Sequence, residues 1–504
     1  MKHNRSDSTA GSEDPDKKTK ARNTDSKTPF DHVLRTAYDL HRALLQVSES
    51  DYPKLGKVVT IWPDEDFPPP PQAKREILKQ LRDANVESNK VTRSVALDQY
   101  EERFSLKVTH PGCEYENESL GYSGVDISVF EKWLRNAPVS GFGDNKALET
   151  KVDSEIRKAC EIPASGFEVQ PKLLQDIAKL WSENFVPSKV RVEPYKIHLY
   201  GKGGHFKSHR DTPEASLVGT FLLGIGDSTQ DAYPSWTVRE ESLRATEVGN
   251  FCIGGIRRTA NAGQWVAFHP DVPHSVEPLE SGCRGVIAFK IFSLEPETGT
   301  IEASQRYPTA VANTTAVLNQ IEGSFGIVLE HEYPMGTDPS NLVASDAVLL
   351  SAAKQMKGVK VVEVIPIAVD VHETKDYNQP SNQHREAGSD SESDFDSEGH
   401  RVSAAVYPFT RYHVDMCLRR SIDEETKASA SWMKGLKGLP FYSWDFKENA
   451  LKWSSSEVED INWTGNEADG SRETSLYLAY AIVILSESHR QEEEQEESNA
   501  GESD

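Results

Sequence analysis

Three triplets in the chain place an imidazole and a carboxylate two residues apart: His209-Arg210-Asp211, His269-Pro270-Asp271 and His413-Val414-Asp415. On a strand, such positions share a face, so both side chains can reach one ion. With one distant His they complete a facial set of two His and one carboxylate, which suits Fe(II) and leaves three coordination positions open. The triplet alone is weak evidence. A chain with 15 His is expected to hold about one by chance. A related His-x-Glu, His384-Arg385-Glu386, lies in a Ser- and acid-rich stretch.

Context separates them. His209–Asp211 follows an apolar strand pattern, Pro194–Tyr200, and a Gly-bearing turn, Gly201-Lys202-Gly203-Gly204. Downstream come Gln264–Phe268, the loop His269-Pro-Asp-Val-Pro273, and then His274 as the distant ligand. Ten residues after His274, Arg284 heads the apolar run Val286–Phe292. Alternation puts Arg284, Val286 and Ala288 on one strand face, with Lys290 continuing toward the rim. A buried Arg there needs an anion, and a dicarboxylate would supply one through a bidentate pair. Tyr200 and His198 share a strand face upstream, where His198 reads as a structural histidine. His413–Asp415 has only His489 downstream and reads as chance; His269–Asp271 reads as a loop feature, with His269 at most supporting the ligands.

These residues must be carried by short strands. From Val190 to Leu294 alternating runs, among them Tyr195–Tyr200, Leu217–Leu223, Gln264–Phe268 and Arg284–Phe292, are separated by Gly, Pro, Asp and Asn. That pattern predicts a sandwich, barrel or jelly roll. Helical spacing appears over Asp31–Glu49, Gln72–Asn85, Ser128–Asn136 and Pro171–Phe185. Beyond Leu294 the pattern is mixed. Ala344–Met356 reads as a helix, Val359–Val371 as a strand, and Ser475–Leu485 as a strand or a helix.

Composition bounds the alternatives. The chain has 504 residues, a formal net charge of −24 and 37% hydrophobic residues. More than half of that charge is local. Glu386–Gly399 holds six acids and no base, and Glu487–Asp504 carries a net −7. Both stretches are too polar to offset the entropy of ordering. The remainder, near −11, shows no basic stripe, so nucleic acid is not an expected partner. The longest apolar run, Leu476–Leu485, falls short of the ~20 residues that span a bilayer. The first thirty residues hold no apolar stretch of signal type. Five scattered cysteines without a CxxC pair argue against a disulfide framework or structural zinc site. An intracellular setting, cytoplasmic or nuclear, is expected, the basic Lys17–Arg22 being at most a weak import signal.

The segments Tyr195–Pro213 (YKIHLYGKGGHFKSHRDTP) and Gln264–Phe289 (QWVAFHPDVPHSVEPLESGCRGVIAF) resemble the Fe(II)/2-oxoglutarate-dependent dioxygenases, and most closely their prolyl 4-hydroxylase-like branch of fungal type. Gly141–Ile162 is similar to a segment preceding the core in those proteins, and Thr464–Glu467 echoes a C-terminal motif of their long members. The resemblance implies a double-stranded β-helix, or jelly roll. Within it, His209, Asp211 and His274 would be catalytic metal ligands, and Arg284 and Tyr200 would bind the cosubstrate. It implies Fe(II), with 2-oxoglutarate and O2 as cosubstrates and ascorbate as a candidate reductant. Between Leu223 and Ala262 the sequence departs from the family, which leaves the substrate open.

The expected class is therefore α+β. It comprises a disordered N-terminus over 1–30, a helical extension over 31–139 and a jelly-roll oxygenase core over 140–297. A C-terminal α+β region over 300–485 contains a disordered acidic loop at 380–401, and an acidic tail covers 487–504. The expected activity is hydroxylation of a C–H bond, on a prolyl or other protein side chain, giving succinate and CO2. A small-metabolite oxygenase and a non-catalytic scaffold on the same jelly roll are the alternatives.

Overall fold

The computed structural model describes residues 94–121, 123–144, 149–228, 249–294, 299–334, 342–375, 400–408, 441–442, 463–464 and 477–486, with Ile77, Gln80, Leu81 and Ala84 before them. Those four are helical, within the helix expected over Gln72–Asn85. The expected helix Asp31–Glu49, the two termini, His413–Asp415 and most of the acidic loop lie outside the described residues. His400 and Arg401, expected at the end of that loop, belong to a strand, His400–Pro408.

Eleven strands build two antiparallel sheets: β1 (Val95–Gln99), β2 (Arg157–Lys158), β3 (Cys160–Pro163), β4 (Val190–Tyr200), β5 (His205–His209), β6 (Leu217–Asp227), β7 (Phe251–Ile253), β8 (Ile256–Arg258), β9 (Gln264–Phe268), β10 (His274–Val276) and β11 (Arg284–Ser293). The six-stranded sheet has the order β1-β9-β6-β11-β4-β3, and the five-stranded sheet has the order β8-β7-β10-β5-β2. From β4 onward the chain passes back and forth between the two sheets.

The six-stranded sheet is covered on both faces, each for a reason written in its alternation. On β11, the odd-numbered Ile287, Phe289 and Ile291 join Phe221, Leu223 and Ile197 in a cluster with two helices, α1 (Ile127–Asn136) and α2 (Pro171–Asn184). The even-numbered residues face the second sheet. Leu173, Ile177 and Trp181, four residues apart, form the buried stripe of α2, and Pro171 opens that helix where a missing N–H costs nothing. Trp181 lies directly on Gly219 of β6. A Cβ at that position would stand 2.1 Å from the indole ring, so only glycine admits this helix. Phe206, Phe251, Val266, Phe268 and Val276 fill the space between the sheets.

One expectation needs correction. The stretch 31–139 is not wholly helical, because Val95–Gln99, Phe104–Val108 and Tyr115–Leu120 are strands. The first extends the six-stranded sheet by pairing with β9, with Val95 opposite Phe268. A short polar-flanked pentapeptide such as VALDQ carries too little periodicity to announce that pairing.

After residue 298, helices Gly299–Arg306, Pro308–Leu318 and Ala344–Ala353 share a cluster with another sheet built on Phe325–Val328, Val359–Lys375 and Tyr477–Ser486. All ten residues of Ala344–Ala353 are buried. The apolar run near 480 is a strand, paired with Val359–Lys375 on one side and Phe325–Val328 on the other. Trp463–Thr464 pairs back to Phe142–Asp144, near the start of the similarity noted in the sequence.

Candidate metal centre

β5 ends on His209, and β10 pairs with it so that His274 stands directly opposite. The ring centroids are 4.2 Å apart, and Asp211 Oδ1 lies 3.8 Å from His274 Nε2. One donor atom from each of His209, Asp211 and His274 falls within 4.8 Å of the others, and all three residues are buried. Among the described residues this is the only such group of His, Cys, Asp and Glu.

The local hydrogen bonds orient these donors. His209 Nδ1 lies 2.8 Å from the carbonyl of Lys207, and His274 Nδ1 lies 2.9 Å from that of Val272. A carbonyl can only accept, so each Nδ1 carries a proton, and in the neutral ring this leaves the Nε2 lone pair for a metal. Thr220 Oγ1 donates to Asp211 Oδ2 at 2.5 Å, holding that carboxylate in place. Burial, then the neighbouring His274, holds His209 well below the usual histidine value, so the ring is neutral at pH 7. Phe206 stacks on the His209 ring at 3.6 Å, and Phe268 packs 4.6 Å from that of His274. Two nitrogen donors and one carboxylate, with apolar walls, are a donor set that fits Fe(II).

A cavity of about 680 Å³, counting its open mouth, contains all three residues and runs along the even-numbered face of β11 past Arg284, Val286, Ala288 and Lys290. Arg284 is only 3% exposed. Its Nη1 donates to the carbonyl of Arg258 at 2.9 Å, Asp227 lies 3.9 Å away, and its Nε is buried without a hydrogen-bond partner among the described residues. That orphaned donor fits a carboxylate bound from the cavity. Tyr200 is buried, lines the same cavity and stands opposite Arg284 in the register of β4 with β11. The structure therefore brings together all five residues singled out in the sequence. At the opposite end, Lys290 pairs with Glu214 and sits over the Tyr195 ring.

Several neighbours were not legible in advance. Arg157 is buried in the cavity wall over the Phe206 ring, donating to the carbonyl of Gly141 at 2.6 Å and to His198 Nδ1 at 3.0 Å. His198 is thus an acceptor. Burial, then Arg157, Lys196 and His274, keeps its pKa well below the ordinary value. His269 makes no hydrogen bond or ring contact with the three converging residues. Its Nδ1 donates to Val218, and its ring packs edge-on against Trp181, Phe185 and His331.

Asp271, expected as a plain loop residue, is a buried anion. His331 Nδ1 lies 3.0 Å from both of its carboxylate oxygens, and Glu332 N donates to it at 3.0 Å. Burial favours neutral His331, but Asp271, with help from Asp346 and Glu330, overrides this and pushes its pKa up to about 10. Burial raises Glu332 to about 7 despite Arg210, whose Nη2 donates to it at 2.9 Å.

No family profile matches the chain, and neither does any curated protein. Among solved structures, it is similar to a prolyl 4-hydroxylase from Pseudomonas putida, at 14% identity over 38% of this chain and 93% of that one, with a TM-score of 0.24. A prolyl hydroxylase from Trichoplax adhaerens, solved with a peptide fragment of the hypoxia-inducible factor oxygen degradation domain, is similar at 13% identity over 44% and 93%, with a TM-score of 0.25. An oxidoreductase of the 2OG-Fe(II) oxygenase family from Burkholderia pseudomallei is similar at 9% identity over 45% and 94%, with a TM-score of 0.20. Likeness at this level assigns no activity, and the functional reading rests on the residues of the site.

Proposed function

We propose that the chain is an Fe(II)- and 2-oxoglutarate-dependent dioxygenase of the prolyl 4-hydroxylase-like type, with its catalytic core over 140–297 and a double-stranded β-helix formed by β4–β11. The observation that carries this reading is the convergence of His209, Asp211 and His274 at one end of a cavity that also holds a buried Arg. Bound there, iron with 2-oxoglutarate and O2 supplies the oxidising power to hydroxylate a C–H bond, with succinate and CO2 as products.

The protein's own residues do the rest. His209 and His274 offer Nε2, and Asp211 offers the oxygen not engaged by Thr220. Arg284 binds the distal carboxylate of the cosubstrate, with Tyr200 beside it, and so orients the keto acid toward the three ligands. Phe206, Phe251 and Phe268 exclude water from that end of the cavity. The open rim at Tyr195, Glu214 and Lys290 is where a substrate enters. A protein side chain, prolyl in the first instance, is the substrate class we favour, on the similarity of Tyr195–Pro213 and Gln264–Phe289 to prolyl 4-hydroxylase-like sequences.

The test is succinate formation by the full chain with Fe(II), 2-oxoglutarate and air, offered a pool of proline-containing peptides. The proposal expects turnover that His209→Ala abolishes. Succinate no higher than in His209→Ala, with either peptides or a metabolite pool, would favour a non-catalytic scaffold.

A further inference from the structure

Arg210 sits between two of the converging residues, yet its side chain points away from the cavity and joins three segments. Its Nε donates to the carbonyl of Asp271 at 2.9 Å, in the loop that leads to His274. Its Nη2 donates to Glu332 Oε1 at 2.9 Å, in the region after residue 298. Asp211 N donates to Pro270 O at 3.0 Å, so the two ligand-bearing segments are also tied directly to each other. The Asp271 carboxylate in turn receives Glu332 N and His331 Nδ1.

The segment 330–333 that makes these bonds is itself fixed from behind. Asp346 accepts the backbone N–H groups of Glu330 and His331 and the hydroxyl of Tyr333, at 2.9, 3.0 and 2.8 Å. Leu329 N donates to Tyr480 O at 2.9 Å, and Tyr333 pairs with Leu478 on the strand Tyr477–Ser486. A continuous chain of short bonds therefore runs from the C-terminal sheet through Glu332 to the backbone on either side of the metal-ligand set. The three ligands come from β5, the residues just after it, and β10. Within the two-sheet unit, the bond from Asp211 to Pro270 is reinforced by Arg210, and Arg210 is itself held by Glu332.

We propose that the segment 330–333 is a positioning element of the metal centre, with Glu332 as its positioning residue, so that the C-terminal region helps to set the geometry of the three ligands. This rests on the proposed metal site. It assigns a role to the region after 298, whose residue pattern carries no signal for one.

The experiment is Co(II) titration of the full-length, metal-free protein, followed by the visible absorption of the bound ion and paired with thermal melting. Glu332→Ala removes the acceptor for Arg210 and is expected to weaken Co(II) binding about tenfold and alter the absorption spectrum. Glu332→Gln keeps an acceptor and is expected to stay within about threefold of wild type. Ser351→Ala, which removes the hydroxyl bonds to the Thr300 and Ala347 carbonyls in the C-terminal region outside segment 330–333, is expected to lower the melting temperature and leave Co(II) affinity and spectrum unchanged. Should Glu332→Ala not fold, Glu332→Asp, one carbon shorter, carries the same test. Unchanged Co(II) affinity and spectrum in Glu332→Ala, or in Glu332→Asp where that variant replaces it, whatever the melting temperature, would overturn the proposal and leave the metal site standing. Wild-type protein that binds no Co(II) would refute the metal site and this proposal with it.

Discussion

The pair His331–Asp271 predicts how stability depends on pH in a definite window. His331 is only 2% exposed, with Asp271, Asp346 and Glu330 facing it as anions and His269 as a neighbouring ring. Its pKa rises from the ordinary 6.5 to about 10. A raised histidine pKa means that the folded state holds the proton more tightly than the unfolded state. The stabilisation is thus complete below about pH 6.5 and is lost as pH climbs through 10. Each pH unit inside that window costs about 1.4 kcal/mol, so from pH 7.5 to 9.5 the protein should lose roughly 2–3 kcal/mol through this group. Glu332, at about 7, and Asp346, at about 6, are also raised, but both values lie below the range from pH 7.5 to 9.5, so their contributions are mostly lost before it begins. The perturbation is His331→Gln, which cannot titrate. At pH 7.5 it should destabilise by about 3–5 kcal/mol, because it strands the Asp271 carboxylate in the interior. The assay is urea unfolding followed by tryptophan fluorescence at several pH values. Cysteine thiols and other groups titrating near pH 9 cancel in the difference between the two proteins. The gap should narrow by roughly 2–3 kcal/mol between pH 7.5 and 9.5. A gap that stays constant, or widens, would refute the claim that His331 is a protonated partner of Asp271.

Two further outcomes follow from particular contacts. Arg284→Ala should weaken 2-oxoglutarate binding by at least about 30-fold, the equivalent of 2 kcal/mol or more, while leaving metal affinity unchanged. Isothermal titration of the Mn(II)-loaded protein would show this. Gly219→Ala should destabilise by roughly 1–3 kcal/mol because the new methyl meets the Trp181 ring at 2.1 Å, and chemical unfolding measures it directly.

What the sequence could disclose was whatever has a short period or a fixed spacing. Gln264–Phe268 reads as a strand and is one, and the Arg284, Val286, Ala288, Lys290 face lines the cavity as alternation requires. The stripe Leu173, Ile177, Trp181 likewise announced its helix. The stretch ending in Leu485 stayed undecided between strand and helix, because residues 479–485 are buried without a break and so have no alternation to read. The spacing from His209 to His274 to Arg284 was legible as a pattern, but the carbonyls of Lys207 and Val272 that fix the two imidazoles are backbone atoms without a sequence signature. Nothing local marks Asp271 as the partner of His331, 60 residues on, or Arg210 as the partner of Glu332, 122 residues on. Those pairings are created by tertiary packing, and they join the well-read part of the chain to the part that could not be read.

The proposed chemistry depends on His209, Asp211 and His274 holding one metal ion. The most direct measurement is anomalous diffraction from crystals of the full chain grown with Mn(II) in place of oxygen-sensitive Fe(II). One ion held by all three residues gives one strong peak equidistant, at about 2.0–2.3 Å, from His209 Nε2, Asp211 Oδ1 and His274 Nε2. A fully loaded crystal with no peak between these three residues, or a peak bound elsewhere while they keep their present spacing, would contradict it.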